Sequence, residues 1–171
     1  VVYDWALIIL EDDPSPTTGI VRPAAYTEDV FWKLRKAKTV FTQVEYSGDR
    51  GQVLTAHPAC LMLGFAKSLK IAEHQCQPVP GDSGSPIVFL DGKEYRLAAV
   101  HAAHTINRLG GTEFAVPSSS FRKMLETLRK KSQRNGPYIE AAALSMNVAI
   151  SISNAVTPPA SWVASVTSTV A

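Results

Sequence analysis

Apolar residues in this chain come in short runs separated by turn formers, the rhythm of strands more than of helices. Trp5-Ala6-Leu7-Ile8-Ile9-Leu10 is one such run, bounded as a buried strand would be. Glu11 to Pro23 carries Pro14, Pro16, Gly19 and Pro23 and reads as a connecting loop. Residues 24–36 fit neither period cleanly, with room for a helical turn around Phe31 and Leu34. Thr39 to Val44 is strand-like, and Ser47-Gly48-Asp49-Arg50 is a turn. Further strands are expected over 51–55, 60–65, 69–73, 86–90, 95–101 and 112–116, with Asp91-Gly92 as a tight hairpin signal.

The pattern changes once. After Pro117, the residues Phe121, Met124, Leu125 and Leu128 stand at i, i+3, i+4 and i+7, which predicts a helix over about 120–132 with one apolar face. A serine ahead of its first turn can cap the free amides, and Asn135-Gly136-Pro137 stops it. The stretch 141–171 has no charged residue, and its least polar piece, 141–156, is too short and too rich in Ser and Asn for a membrane span. Many short strands and one late helix argue for an all-β barrel or sandwich.

Composition narrows the function classes. Hydrophobic residues make up 46% and charged residues 19%, so the chain has globular and not disordered composition. Net charge is +2, which offers nothing to a nucleic acid. The cluster Arg129, Lys130, Lys131 and Arg134 has a plain explanation as the solvated end of the helix. Two cysteines, Cys60 and Cys76, are compatible with one disulfide and an oxidising compartment.

Gly81-Asp82-Ser83-Gly84-Ser85-Pro86 carries the most chemistry. A serine hydroxyl becomes a nucleophile only when a base takes its proton and fixed donors receive the oxyanion. Glycines on both sides of Ser83 allow a tight bend that could aim the amides of Gly81 and Ser83 at one point. Pro80 and Pro86 restrict the backbone around it. The competing reading is an ordinary Gly/Ser turn between strands.

The segment resembles the nucleophile loop of chymotrypsin-fold, trypsin-like serine proteases, in particular their bacterial branch. Tyr3-Asp4-Trp5-Ala6-Leu7 resembles the stretch that carries their catalytic aspartate. Tyr46-Ser47-Gly48-Asp49-Arg50, Val53-Leu54-Thr55, Cys60, His74-x-Cys76, Ala99-Val100-His101 and Glu113-Phe114-Ala115-Val116-Pro117 follow in the family's order. The resemblance covers about residues 1–130. It implies a double β-barrel, of which this chain would hold the last strand of the first barrel (1–10, with Asp4), an interbarrel linker (11–38), the second barrel with the nucleophile loop (39–117), a C-terminal helix (118–132) and a tail (133–171). It also implies peptide-bond hydrolysis through an acyl-enzyme on Ser83, without metal or cofactor. Asp4 would orient the histidine and the amides of Gly81 and Ser83 would form the oxyanion hole. Asp82 would be a structural carboxylate held by an ion pair. Cys60 and Cys76 would form a disulfide, and His101, Gln77 and Val79 would line the substrate pocket. The expected setting is secreted or periplasmic, with a peptide or protein substrate, no membrane and no nucleic acid.

The family order places the catalytic histidine before the aspartate, and none of the three residues before Asp4 is a histidine. His57, in Thr55-Ala56-His57-Pro58-Ala59-Cys60, lies only 26 positions before Ser83, whereas the family assembles its triad across two barrels. The base is therefore expected upstream of residue 1, in a first barrel of the same polypeptide, and the 171 residues alone are expected to be inactive. Other readings stay open. One is a catalytically dead peptide-binding module. Another is a zinc-stabilised domain on His57, Cys60, His74 and Cys76, although His74-x-Cys76 is tightly spaced for zinc. An esterase elbow is disfavoured, because Ser85 occupies the final glycine of Gly-x-Ser-x-Gly. A histidine like His101 lines the pocket in glutamyl endopeptidases, and no Asp precedes the loop to support a basic preference.

Overall fold

The structure is a computed structural model and describes residues 3–8, 15–50, 53–66, 70–77, 79–107 and 110–135. Its elements are α1 (Ser15–Thr18), β1 (Arg22–Pro23), α2 (Glu28–Lys36), β2 (Phe41–Glu45), β3 (Thr55–Ala66), β4 (Ile71–Gln75), β5 (Pro86–Asp91), β6 (Glu94–Asn107), β7 (Gly110–Pro117) and α3 (Ser119–Asn135). Six antiparallel strands run in the order β6-β5-β2-β3-β4-β7, and β7 returns to pair with β6, closing a barrel. β1 lies outside the ring, parallel to β6. The chain is thus mostly β, as the alternation of short apolar runs implies.

One expected strand does not form. Residues 4–8 form no strand, although their apolar run reads as one, and residues 9–10 lie outside the described residues. β1, not this run, takes the edge that the first half of β6 leaves free. Trp5 instead packs on the outside, its ring 5.9 Å from that of Phe121.

Three more boundaries shift. Of the strand expected over 51–55, residues 51–52 lie outside the described residues and only Thr55 is in β3, which runs through the expected 60–65 and takes in Ala59, at a φ of 61°, as a bulge. Phe41 pairs with Cys60 and Thr42 with Pro58, so Ala59 has no partner across the ladder. The ambiguous stretch 24–36 contains a full helix, α2, whose N-cap Thr27 accepts the Val30 amide. In α3, Phe121 is buried and Leu125 half-buried, but Met124 is 47% exposed, so the apolar face is narrower than its spacing suggests. The hydroxyls of Ser118 and Ser119 donate to the carbonyls of Ala24 and Tyr26. These bonds tie the helix start to the chain before α2, in place of the expected serine cap. The Asp91-Gly92 hairpin forms as expected, with Asp91 opposite Glu94 and Gly92 at a φ of 64°.

The strands bury both faces. Inside, Phe41, Cys60, Met62, Ala72, Cys76, Ile87, Phe89 and Ala115 pack with Tyr26 and Phe31 from the α2 region. Outside, Val44, Val88, Leu97 and Val116 pack under Phe121 of α3. Each fully buried large apolar side chain contributes about 1.5–3 kcal/mol, so this two-sided core is what holds the ring. No described helix is long and apolar enough to cross a membrane.

Candidate active site

The 79–85 loop is two consecutive turns. Asp82 N donates to Val79 O (3.1 Å) and Ser85 N to Asp82 O (2.9 Å). Gly84 N donates to His101 O and His101 N to Ser85 O, both at 2.8 Å, so the end of the loop is pinned to β6. Among the described residues, the amides of Gly81 and Ser83 donate to no backbone carbonyl, while those of Asp82, Gly84 and Ser85 all do. The loop therefore leaves an alternating pair of donors free around an exposed Ser83.

Glycine is required at two places here. Gly81 has a φ of +107°, and a Cβ on it would stand 2.7 Å from Gly48 N. A Cβ on Gly48 would stand 2.5 Å from Pro80 O. The turn at 47–50 and the loop at 79–81 thus touch backbone to backbone, joined by Gly48 N donating to Pro80 O at 2.9 Å. No side chain fits between them.

Below the loop the barrel interior turns polar. Gln43, Glu45, Ser47, His74, Asp82, Ser85 and His101 are all buried. Gln43 Nε2 donates to Glu45 Oε2 at 2.6 Å. Asp82 Oδ2 accepts the Val79 amide, and Asp82 Oδ1 has no partner among the described residues. Burial, reinforced by the nearby Asp82 carboxylate, raises the Glu45 pKa above the usual carboxylate value. Burial lowers the His74 imidazole to about 3 and also lowers that of His101. The two rings meet edge to face, with His74 Nε2 3.1 Å from His101 Nδ1. Gln43 and Glu45 were not legible as site residues from their type. Their signal is register: they follow Phe41 at every second position and so share its inward face.

The other site candidates divide. Cys60 and Cys76 are joined as a disulfide between β3 and the end of β4, with Cα atoms 4.6 Å apart. Closing a loop of that length stabilises the fold by about 3 kcal/mol. Gln77 is exposed and takes a φ of 53°, and Val79 lies at the start of the loop that carries Ser83. His101 reaches the loop through its backbone, while its side chain is only 5% exposed. Asp4 is exposed beside Trp5. His57 donates its Nδ1–H to the Cys76 carbonyl and lies 3.9 Å from Glu45 through Nε2. Among the described residues no hydrogen bond joins Ser83 to any histidine. The four-residue zinc set does not assemble: Cys60, His74 and Cys76 come together without His57.

No protein-family model matches the chain, and no curated protein matches it.

Proposed function

We propose that the chain is the second barrel and flanking segments of a two-barrel, chymotrypsin-like serine endopeptidase, with Ser83 as nucleophile. The single observation that carries this reading is the 79–85 loop. It exposes one hydroxyl, leaves the Gly81 and Ser83 amides free beside it, and braces the whole on β5 and β6. That is the set of groups an acyl transfer needs apart from its base. In the family's order the base precedes Asp4, so it would come from a first barrel outside these 171 residues. Exposed Tyr3, Ile8 and Val53 are surfaces such a barrel could cover. Asp82 Oδ1, without a partner among the described residues, leaves room for the ion pair the resemblance implies.

In this reading Ser83 attacks the scissile carbonyl, the base accepts its proton, and the Gly81 and Ser83 amides receive the oxyanion. Asp4 would hold the base in its productive tautomer. Gln77 and Val79 would border the pocket and His101 would form its inner wall. Burial lowers the pKa of His101, so it would offer a substrate a neutral N–H, not a positive charge. This fits an amide or a hydrogen-bonded carboxyl group in the pocket. A preference for lysine or arginine in a peptide library would sink it. A secreted or periplasmic setting follows from the disulfide in the same reading.

A second reading is a catalytically dead peptide-binding module. A fluorophosphonate probe separates the two when applied to the polypeptide as its gene encodes it. Labelling at Ser83 that disappears in Ser83→Ala supports the enzyme, with peptide hydrolysis falling by about 10³-fold or more. A folded protein that binds peptide and takes no label at Ser83 identifies the dead module.

A further inference from the structure

Among the described residues, one group of His, Cys, Asp or Glu side chains is close enough to hold a metal ion: Cys60, His74 and Cys76, with ligand atoms within 4.8 Å of one another and all three buried. The arrangement follows from register. Leu61 pairs with Gln75 across β3 and β4, which sets Cys60 beside Cys76. His74 lies two residues before Cys76 and therefore on the same inward face.

The hydrogen bonds of the histidine set its tautomer. The Cys76 amide donates to His74 Nδ1 at 3.3 Å. An amide only donates, so Nδ1 carries the lone pair and Nε2 the proton. Nε2–H faces His101 Nδ1 at 3.1 Å. A histidine ligand commonly donates from its other ring nitrogen, to a carboxylate, a backbone carbonyl or water; here the acceptor is an imidazole. The Nδ1 lone pair thus faces the Cys76 backbone amide, a 3.3 Å contact that an incoming metal ion would displace.

We infer that opening the Cys60–Cys76 bridge creates a buried site for a zinc-type divalent ion, held by Cys60 Sγ, Cys76 Sγ and His74 Nδ1. A dithiol reductant supplies the two electrons. Its two thiols become a disulfide, the protein S–S bond breaks, and both sulfurs leave as thiols. The incoming M²⁺ displaces those two protons, and the ring stays neutral. Zn–S bonds of about 2.3 Å in a tetrahedron set the sulfurs about 3.8 Å apart, between Cα atoms that stand 4.6 Å apart. Three protein ligands leave the fourth position to water or an external donor. The site sits at Cys76, seven residues before Ser83, so bridge and metal are alternative braces for the same end of the loop. The inference stands apart from the protease reading, since it needs neither a base nor a substrate.

Cobalt titration of the intact chain tests it, with Co²⁺ as the spectroscopic stand-in for zinc. The reduced chain should bind one Co²⁺ with a thiolate-to-cobalt charge-transfer band, and the oxidised chain should show none. Replacing both cysteines by serine should abolish the band. His74→Ala should weaken binding by at least about tenfold, while His57→Ala should leave it unchanged. X-ray absorption on the zinc form should report two sulfurs and one imidazole. Near-ultraviolet circular dichroism checks that the reduced barrel keeps its packing. Equal binding by oxidised and reduced chains, affinity indifferent to His74, dependence on His57, or loss of the folded signal on reduction would each overturn the inference.

Discussion

The two ends of the barrel interior are built to opposite rules on the same strands. At one end, Phe41 meets Phe89 with ring centroids 5.6 Å apart, and Tyr26 and Phe31 close the space beneath α2. Four residues further along β2 the inward position holds Glu45, and Ser85 just before β5, His101 on β6 and His74 on β4 are further buried polar groups. The first end is held by area removed from water, which is strong and tolerant of detail. The second is held by directed hydrogen bonds among groups that are costly to bury, and it leaves Gln43 Oε1 and Asp82 Oδ1 without partners among the described residues. The difference teaches where stability and chemistry are divided. The apolar end carries the fold, and the polar end holds a loop in a shape it would not adopt alone.

The comparison breaks most visibly at the apolar end. Phe89→Ala should cost about 3–5 kcal/mol in urea unfolding, because the cavity it leaves is walled by a closed ring that relaxes little. A loss below about 1 kcal/mol would show that the ring is not the stabilising unit. A smaller and more local effect is expected where the two loops touch. Gly81→Ala places a Cβ against Gly48 N at a φ of +107°, and should cost about 1–3 kcal/mol. Hydrogen exchange should then quicken at Gly84 and Ser85, whose amides pin the loop, and stay unchanged at Phe41 and Phe89. Uniform loss of protection would erase the distinction between the ends.

The smallest effect is a slope with pH. His74 and His101 both have folded pKa values below the ordinary 6.5. Their contribution is present above that value and is lost as pH falls toward the folded one, near 3 for His74. Glu45, raised from 4.5, acts with the opposite sign, because its contribution is present at low pH and lost as pH rises through its folded value. One proton supplies at most about 1.4 kcal/mol per pH unit. Unfolding midpoints should fall between pH 6.5 and 4.5, His74→Gln should flatten that fall, and Glu45→Gln should steepen it. A flat profile in the parent would mean that the polar end takes up protons without opening.

Much of the barrel was legible along the chain, and the reasons are local. Asp91-Gly92 permits a turn of the hand that paired strands need, and it forms one. The apolar runs that became β2, β4, β5 and β7 are short and bounded by turn residues. Trp5 to Leu10 shows the limit, since an apolar run states only that a segment seeks burial. Whether it finds a strand partner or a helix surface depends on which edges remain free. The Gly-Asp-Ser-Gly bend is also legible, because glycine tolerates the backbone it requires, but nothing near residue 81 in sequence announces the contact with Gly48.

By itself, the sequence determined the strand-rich class, the tight bend at Ser83 and the late amphipathic helix, all of which depend on neighbours within a few residues. Tertiary structure alone decided that six strands close into a ring, that His74 joins the cysteines while His57 turns to Cys76 O and Glu45, and that Glu45 and Asp82 share one interior. These depend on register between strands far apart in the chain. A shift of one residue in that register would turn every one of those side chains to the opposite face.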